Sequence, residues 1–228
     1  MKAEQLALDL SARPALGRED FVVSGANVQA VAQVESDARW PAGRLALTGP
    51  EATGKTHLVQ VWAARTEALA LPSTDLPRYD VPTLAQARRV AVEDVPAIAG
   101  LPKAEAALFH LYNLLHSEGG RLLVTGRTAP GDWGIRLGDL RSRLNGMPHV
   151  ALTAPDDDLL AALLEKQFSD RHMAVDDKVI PYLLVHMTRS AASARRLAAE
   201  LNQLSLARRQ RATVPLARAA LDRLGGVL

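Results

Sequence analysis

Cysteine is absent from the 228 residues, which excludes disulfides, thiolate zinc sites and a cysteine nucleophile. Aromatic residues are scarce, at 4% against 48% hydrophobic residues in all, so a core has to be built from Leu, Ala and Val. Such a core suits helices packed on a sheet better than a β-sandwich. Long hydrophobic runs are also lacking, and no stretch approaches the ~18 consecutive apolar residues of a membrane span. The first ten residues, MKAEQLALDL, carry Lys2, Glu4 and Asp9, which leaves no apolar segment of secretory length. The expectation is a cytoplasmic protein with no membrane partner. Nor is there an excess of either charge: a formal net charge of +2 gives no general affinity for nucleic acid. The distribution is less even. From His186 onward eight Arg stand against only Glu200 and Asp222, which reads either as a solvated helical face or as a surface touching DNA weakly or indirectly.

What is present is a change of period along the chain. Residues 1–20 read as a poorly ordered arm with a short apolar cluster at Leu6, Leu8 and Leu10. From Arg44 short apolar runs alternate with amphipathic ones. RLALTG (44–49), ALAL (68–71), RRVAVED (88–94), RLLVTG (121–126) and HVALT (149–153) read as strands. A helix is expected after the first, to about Arg65, and another across Lys103–Ser117, where Leu108, Leu111 and Leu115 recur at helical spacing. Strands separated by helices predict an α/β fold with a parallel sheet covered on both faces. Beyond Pro155 the period stays helical, with helices expected at about 156–171, 176–187, 191–209 and 214–224, capped by Asp156, Asp176 and Ser190. The predicted organisation is an arm (1–20), an α/β domain (21–154) and a small helical domain (155–228).

The densest chemical signal is Gly49-Pro50-Glu51-Ala52-Thr53-Gly54-Lys55-Thr56, a full G-x-x-x-x-G-K-[ST] phosphate-binding loop between a buried strand and a helix. Glycines let successive backbone N–H groups turn toward phosphates, and the helix N-terminus adds its positive dipole end. Lys55 is expected on the β- and γ-phosphates of ATP or ADP, and Thr56 on Mg²⁺. Such a loop needs an acid at the end of a neighbouring strand; Glu93 and Asp94, after Val90-Ala91-Val92, meet that need. Thr125, closing the next strand, reads either as a polar sensor near the γ-phosphate or as an ordinary strand-end residue. His110 and His116 lie six apart on one helix, a spacing that does not place them side by side, so no metal site is expected there.

In order and spacing, several further segments resemble the DnaA/Hda family of AAA+ replication proteins. They are Phe21-Val22-Val23 with Asn27, the loop ending in Gly54-Lys55-Thr56-His57, Leu122-Leu123-Val124-Thr125-Gly126, Asp139-Leu140-Arg141-Ser142-Arg143-Leu144, Arg195-Arg196-Leu197, and Leu201-Asn202-Gln203-Leu204. The resemblance implies a P-loop AAA+ sheet domain with a helical lid, ADP rather than ATP as working ligand, and His57 beside the nucleotide. It implies that Arg143 is an arginine finger acting on a neighbouring subunit's γ-phosphate, the other reading being a local cap or ion pair. It implies a sensor role over the same chain's nucleotide for Arg195, with Arg196 the competing choice. Gln5-Leu6-Ala7-Leu8-Asp9-Leu10 resembles the peptide by which bacterial proteins dock on the DNA sliding clamp, with Gln5, Leu6, Leu8 and Leu10 as contacts. The partners implied are the clamp and DnaA, whose ATP hydrolysis the chain would stimulate; a homo-dimer is left open. Two departures stand out. Relatives usually begin the acidic pair with Asp where Glu93 stands, which shifts the carboxylate by about one bond length and bears on metal geometry. A helix-turn-helix domain like that of DnaA is not expected after the lid, so origin recognition is not the expected role. The rival readings are an independent AAA+ ATPase such as a helicase loader, and a non-catalytic clamp-tethered adaptor.

Overall fold

A computed structural model describes residues 21–25 and 27–225. Five parallel strands form one sheet: β1 (Arg44–Thr48), β2 (Leu69–Pro72), β3 (Arg89–Glu93), β4 (Arg121–Thr125) and β5 (His149–Ala151). Their order is β2-β3-β4-β1-β5. The chain leaves β1, which lies inside the sheet, for the far edge, returns through β3 and β4, and crosses to β5 on the other side. The five strands expected from the sequence are therefore all present, in the expected places.

Alternation along each strand splits the sheet into two faces. Leu45 and Leu47 of β1, Ala91 of β3 and Leu123 of β4 face α1 (Val28–Glu35) and α2 (Lys55–Thr66), where they pack with Leu58 and Trp62. Ala46, Val90, Val92, Leu122 and Val124 face the other layer. There they meet α3 (Val81–Gln86), α4 (Pro102–Ser117) and α5 (Gly138–Asn145), which contribute Leu84, Leu108, Leu111, Leu140 and Leu144. A third apolar cluster lies in the helices that follow β5: α6 (Asp157–Ser169), α7 (Val179–His186), α8 (Ala191–Arg208) and α9 (Val214–Arg223). Asp156 and Ser190 cap α6 and α8 as expected, accepting from the backbone N–H groups of Leu159 and Ser193.

Some local expectations need correction. α7 begins at Val179, not near 176, and Lys178 rather than Asp176 precedes it. The cause is a bridge between Val175 and Ala212: Asp176 donates its N–H to Ala212 O, which keeps that stretch out of the helix. The sequence pattern does not predict helices α1, α3 and α5. Each is only six to eight residues long, and α5 buries just Leu140 and Leu144, too few turns to display a period. Among the described residues no helix is long and apolar enough to cross a membrane.

Candidate nucleotide-binding cleft

In an open parallel sheet, ligands bind outside the carboxyl ends of the strands where strand order reverses. Here those ends belong to β1, β3 and β4, and the sequence-predicted residues converge on them. The phosphate loop connects β1 to α2. Gly49 has φ +143°, and a Cβ there would lie 2.2 Å from Leu152 O, so only glycine lets the loop pass β5 this closely. Gly54 (φ +99°) precedes α2 and offers no side-chain cap, leaving first-turn N–H groups for another partner. Ala52 adopts φ +63°, a left-handed conformation that costs an L-residue about 1–2 kcal/mol. Strain of this kind persists where the surrounding structure holds it. Thr53 Oγ1 donates to Pro50 O at 3.0 Å, and Lys55 Nζ donates to Gly49 O and Pro50 O at 2.7 and 2.6 Å.

The acidic pair is held from two sides. Glu93 is buried at the end of β3, and Asp94 follows in a left-handed conformation, φ 55° and ψ 55°. The Asp94 N–H donates to Thr125 Oγ1 at 2.9 Å, and the Ser73 hydroxyl donates to Asp94 O at 2.7 Å. Thr125 thus braces the acid backbone of the adjacent strand, whatever else its hydroxyl meets. Burial lowers the Lys55 pKa below its ordinary value and Arg127 lowers it further, while Asp94 and Glu51 oppose the shift.

Two adjoining cavities make up the cleft. One, of about 370 Å³, is lined by Glu51, Ala52 and Gly54 to His57 of the phosphate loop together with Glu93, Asp94, Thr125 and Arg127. The other, of about 480 Å³, is lined by Phe21, Val22, Asn27, Pro155, Leu159 and Leu163 among others. Gly54, His57, Ala191 and Arg195 line both, so the cavities form one cleft between sheet and lid, of a size suited to a small ligand. The wall at this end is built by Asn27, whose amide donates to Val22 O and whose Oδ1 accepts from Ser24 N. It is completed by Phe21, set edge-on to His57 at 5.0 Å.

Thr56, Glu93, Asp94, Thr125, His57 and Arg195 therefore share the cleft. Arg195 is the lining arginine of its pair, whereas Arg196 is exposed and lines neither cavity. Arg143 lies elsewhere: it is exposed on α5, outside both cavities, with its guanidinium 5.9 Å from the Tyr112 ring. Gln5, Leu6, Leu8 and Leu10 lie outside the described residues. Sequence reasoning missed Ser73 and Arg127. Arg127 had a signal, its position two residues beyond a sheet strand that ends at the cleft; Ser73 had none.

A nucleotide fits the donor set, with a loop that admits only glycine at Gly49, Lys55 beside it, and an uncapped helix start. A Mg²⁺ ion would find Thr56 and Glu93 at the same end. No cluster of three or more His, Asp or Glu occurs among the described residues, so phosphates and water would complete its shell.

The fold is similar to domain III of the Thermotoga maritima replication initiation protein DnaA, with TM-score 0.77, 20% identity, and 92% of this chain and 97% of that chain covered. It is similar to AMPPCP-bound DnaA from Aquifex aeolicus, with TM-score 0.69, 19% identity and coverage of 84% and 66%. The Thermotoga maritima RuvB Holliday junction branch migration motor matches with TM-score 0.68, 14% identity and coverage of 93% and 72%. At these identities the likeness is one of fold. Residues 156–221 match the family model described as Hda, lid domain. The chain thus shares its fold with the DnaA domain, and its residues 156–221 are similar to the Hda lid domain.

Proposed function

We propose that the chain is a nucleotide-binding regulator of chromosomal replication initiation, docking on the DNA sliding clamp and stimulating ATP hydrolysis by DnaA. The observation that carries this reading is the joining of a complete phosphate loop, the Glu93-Asp94 pair and Arg195 in one cleft closed by an Hda-type lid. Lys55 and Arg195 would hold the phosphates of ADP or ATP, and Thr56 with Glu93 would hold Mg²⁺. His57, Phe21 and Leu159 would enclose the rest. A ligand touching both sides of the cleft ties lid to sheet, because anything that binds only the folded arrangement stabilises it. On this reading the site is a conformational lock that sets the angle of Arg143.

Arg143 stands where a neighbouring molecule can reach it, exposed and clear of its own cleft. A planar guanidinium offsets charge developing on a transferred phosphoryl group, and a finger supplied in trans contributes ~10³–10⁵ in rate. Gln5, Leu6, Leu8 and Leu10 would supply the clamp contact, which brings Arg143 to ATP-bound DnaA. The test is hydrolysis of labelled ATP preloaded on DnaA, with DNA-loaded clamp, with and without this chain. Acceleration that disappears in both Arg143→Ala and a deletion of residues 1–10 is expected. No acceleration by folded, nucleotide-bound protein would refute the mechanism.

One observation favours a second reading, an independent ATPase. Asp94 is fixed through both its N–H and its carbonyl, as an acid that positions water would need to be. Turnover by the chain alone that falls in Asp94→Asn would support it.

A further inference from the structure

The phosphate end of the cleft contains a third cation besides Lys55 and Arg195. Arg127 is carried by a loop that is fixed on both sides of it. Gly126 donates its N–H to Leu47 O at 3.2 Å. A Cβ on Gly126 would fall 2.5 Å from the Trp133 ring, and the Trp133 indole donates to Thr128 O at 2.8 Å. Trp133 thus clamps the residues before and after Arg127, while the arginine side chain itself stays 63% exposed.

Its guanidinium lies 3.3 Å from Glu51 Oε2 of the phosphate loop, whose side chain is 76% exposed. A pair this exposed contributes about 0–1 kcal/mol, so it is easily exchanged. A phosphate is the better partner, since it can accept two parallel charge-assisted bonds from the guanidinium fork. Arg127 also lies close enough to Lys55 to act on its charge. Two cations gathered at one end of a cleft, with an exposed carboxylate spanning from one side, describe a place where an anion of higher charge is wanted.

We propose that Arg127 is a ligand for the terminal phosphate of a bound nucleoside triphosphate, and that Glu51 is the partner it leaves to take that role. The inference rests on the reading of the cleft as a nucleotide site. Glu51 acts in two ways. With a diphosphate bound it retains Arg127, and with a triphosphate it is a like charge beside the new phosphate until Arg127 changes partner. The pair thereby sets how strongly the cleft distinguishes three phosphates from two. This arginine belongs to the chain's own cleft, unlike Arg143.

The experiment is calorimetric titration of the full, nucleotide-stripped chain with ADP and with AMPPCP, in Mg²⁺. Arg127→Ala is expected to weaken AMPPCP about tenfold or more, equivalent to about 1.4 kcal/mol, and ADP less than about threefold. Glu51→Gln is expected to tighten AMPPCP more than ADP. Arg127→Lys is expected to fall between wild type and Arg127→Ala, because a point charge lacks the fork. Both positions are exposed, so melting temperatures should match wild type. Lys55→Ala separates the two levels of the reading. If wild type binds neither nucleotide, the site itself is refuted. If wild type binds both and Lys55→Ala loses both, while Arg127→Ala changes both equally or neither, this inference alone is overturned.

Discussion

Thr125→Val tests whether the threonine hydroxyl is a brace for the acidic pair. The substitution keeps the buried shape and removes the oxygen that accepts the Asp94 N–H at 2.9 Å. An amide left without its acceptor costs about 1–2 kcal/mol. Asp94 also sits at φ 55°, which costs a non-glycine residue about 1–2 kcal/mol and is retained only under restraint. With one of its two restraints gone, part of that strain is relieved by the backbone turning away, and the carboxylate moves with it. For a chain of this size each kcal/mol corresponds to about 2–4 °C in melting temperature, so a drop of about 2–8 °C is expected. Nucleotide affinity measured with Mg²⁺ should fall toward the value measured in chelator, while the chelator value itself stays near wild type. Thr125→Ser keeps the acceptor and should preserve the Mg²⁺ dependence despite losing a buried methyl group, worth about 0.8 kcal/mol. A valine variant with wild-type melting and wild-type Mg²⁺ dependence would refute the brace.

Other perturbations follow from the same geometry. Lys55→Ala should abolish the rise in melting temperature that ADP produces in wild type, a rise equivalent to about 2.7 kcal/mol at a hundredfold excess over Kd. Glu105 is buried and accepts from the N–H groups of Gly100, Leu137 and Arg136 at 2.7, 2.7 and 3.1 Å. Glu105→Gln should therefore cost about 1–3 kcal/mol in denaturant unfolding and, on the proposed function, reduce DnaA stimulation without changing nucleotide affinity, since Leu137 precedes the helix carrying Arg143. Burial raises the Glu105 pKa, but those backbone donors outweigh it and the net direction is down from 4.5. The carboxylate's contribution is therefore complete above about pH 4.5 and lost as pH falls through the lower folded value, a dependence that Glu105→Gln should remove. If the arginines beyond His186 touch duplex DNA, binding should weaken steeply between low and physiological salt; a flat titration would leave that face solvated, as Arg211 with Asp176 and Arg223 with Glu200 already suggest.

The parts of the fold legible in the sequence are those whose determinants are contiguous. The inner strands β1, β3 and β4 could be read because a parallel strand covered on both faces is an unbroken apolar run, and β1 is buried at every position. The phosphate loop could be read because its turn, its lysine and its hydroxyl fall within eight residues. The helices after Asp156 and Ser190 could be placed because each cap bonds a residue only three positions on. By contrast, α5 is held by Leu140 and Leu144 against a layer contributed by distant segments, and nothing local distinguishes it from a loop. The apparent cap at Asp176 misled because Ala212, thirty-six residues away, holds that backbone extended.

The unread part of the site has one physical cause. Ser73 and Arg127 acquire meaning only when β2, β3 and β4 lie side by side next to β1, an arrangement fixed by the strand order. Ser73 follows the edge strand β2 and would pass for a turn residue, yet its hydroxyl reaches the carbonyl of Asp94. Arg127 follows a glycine that looks like a plain strand stop, yet that glycine is required because Trp133 occupies the space of a side chain. A strand-end glycine packed under a tryptophan fixes the backbone from which the next side chain leaves, and here that point is the mouth of the cleft. Position in the sheet turns an ordinary surface arginine into a candidate phosphate ligand, and the same reasoning keeps Arg143, equally ordinary in sequence, outside its own cleft and available to another molecule.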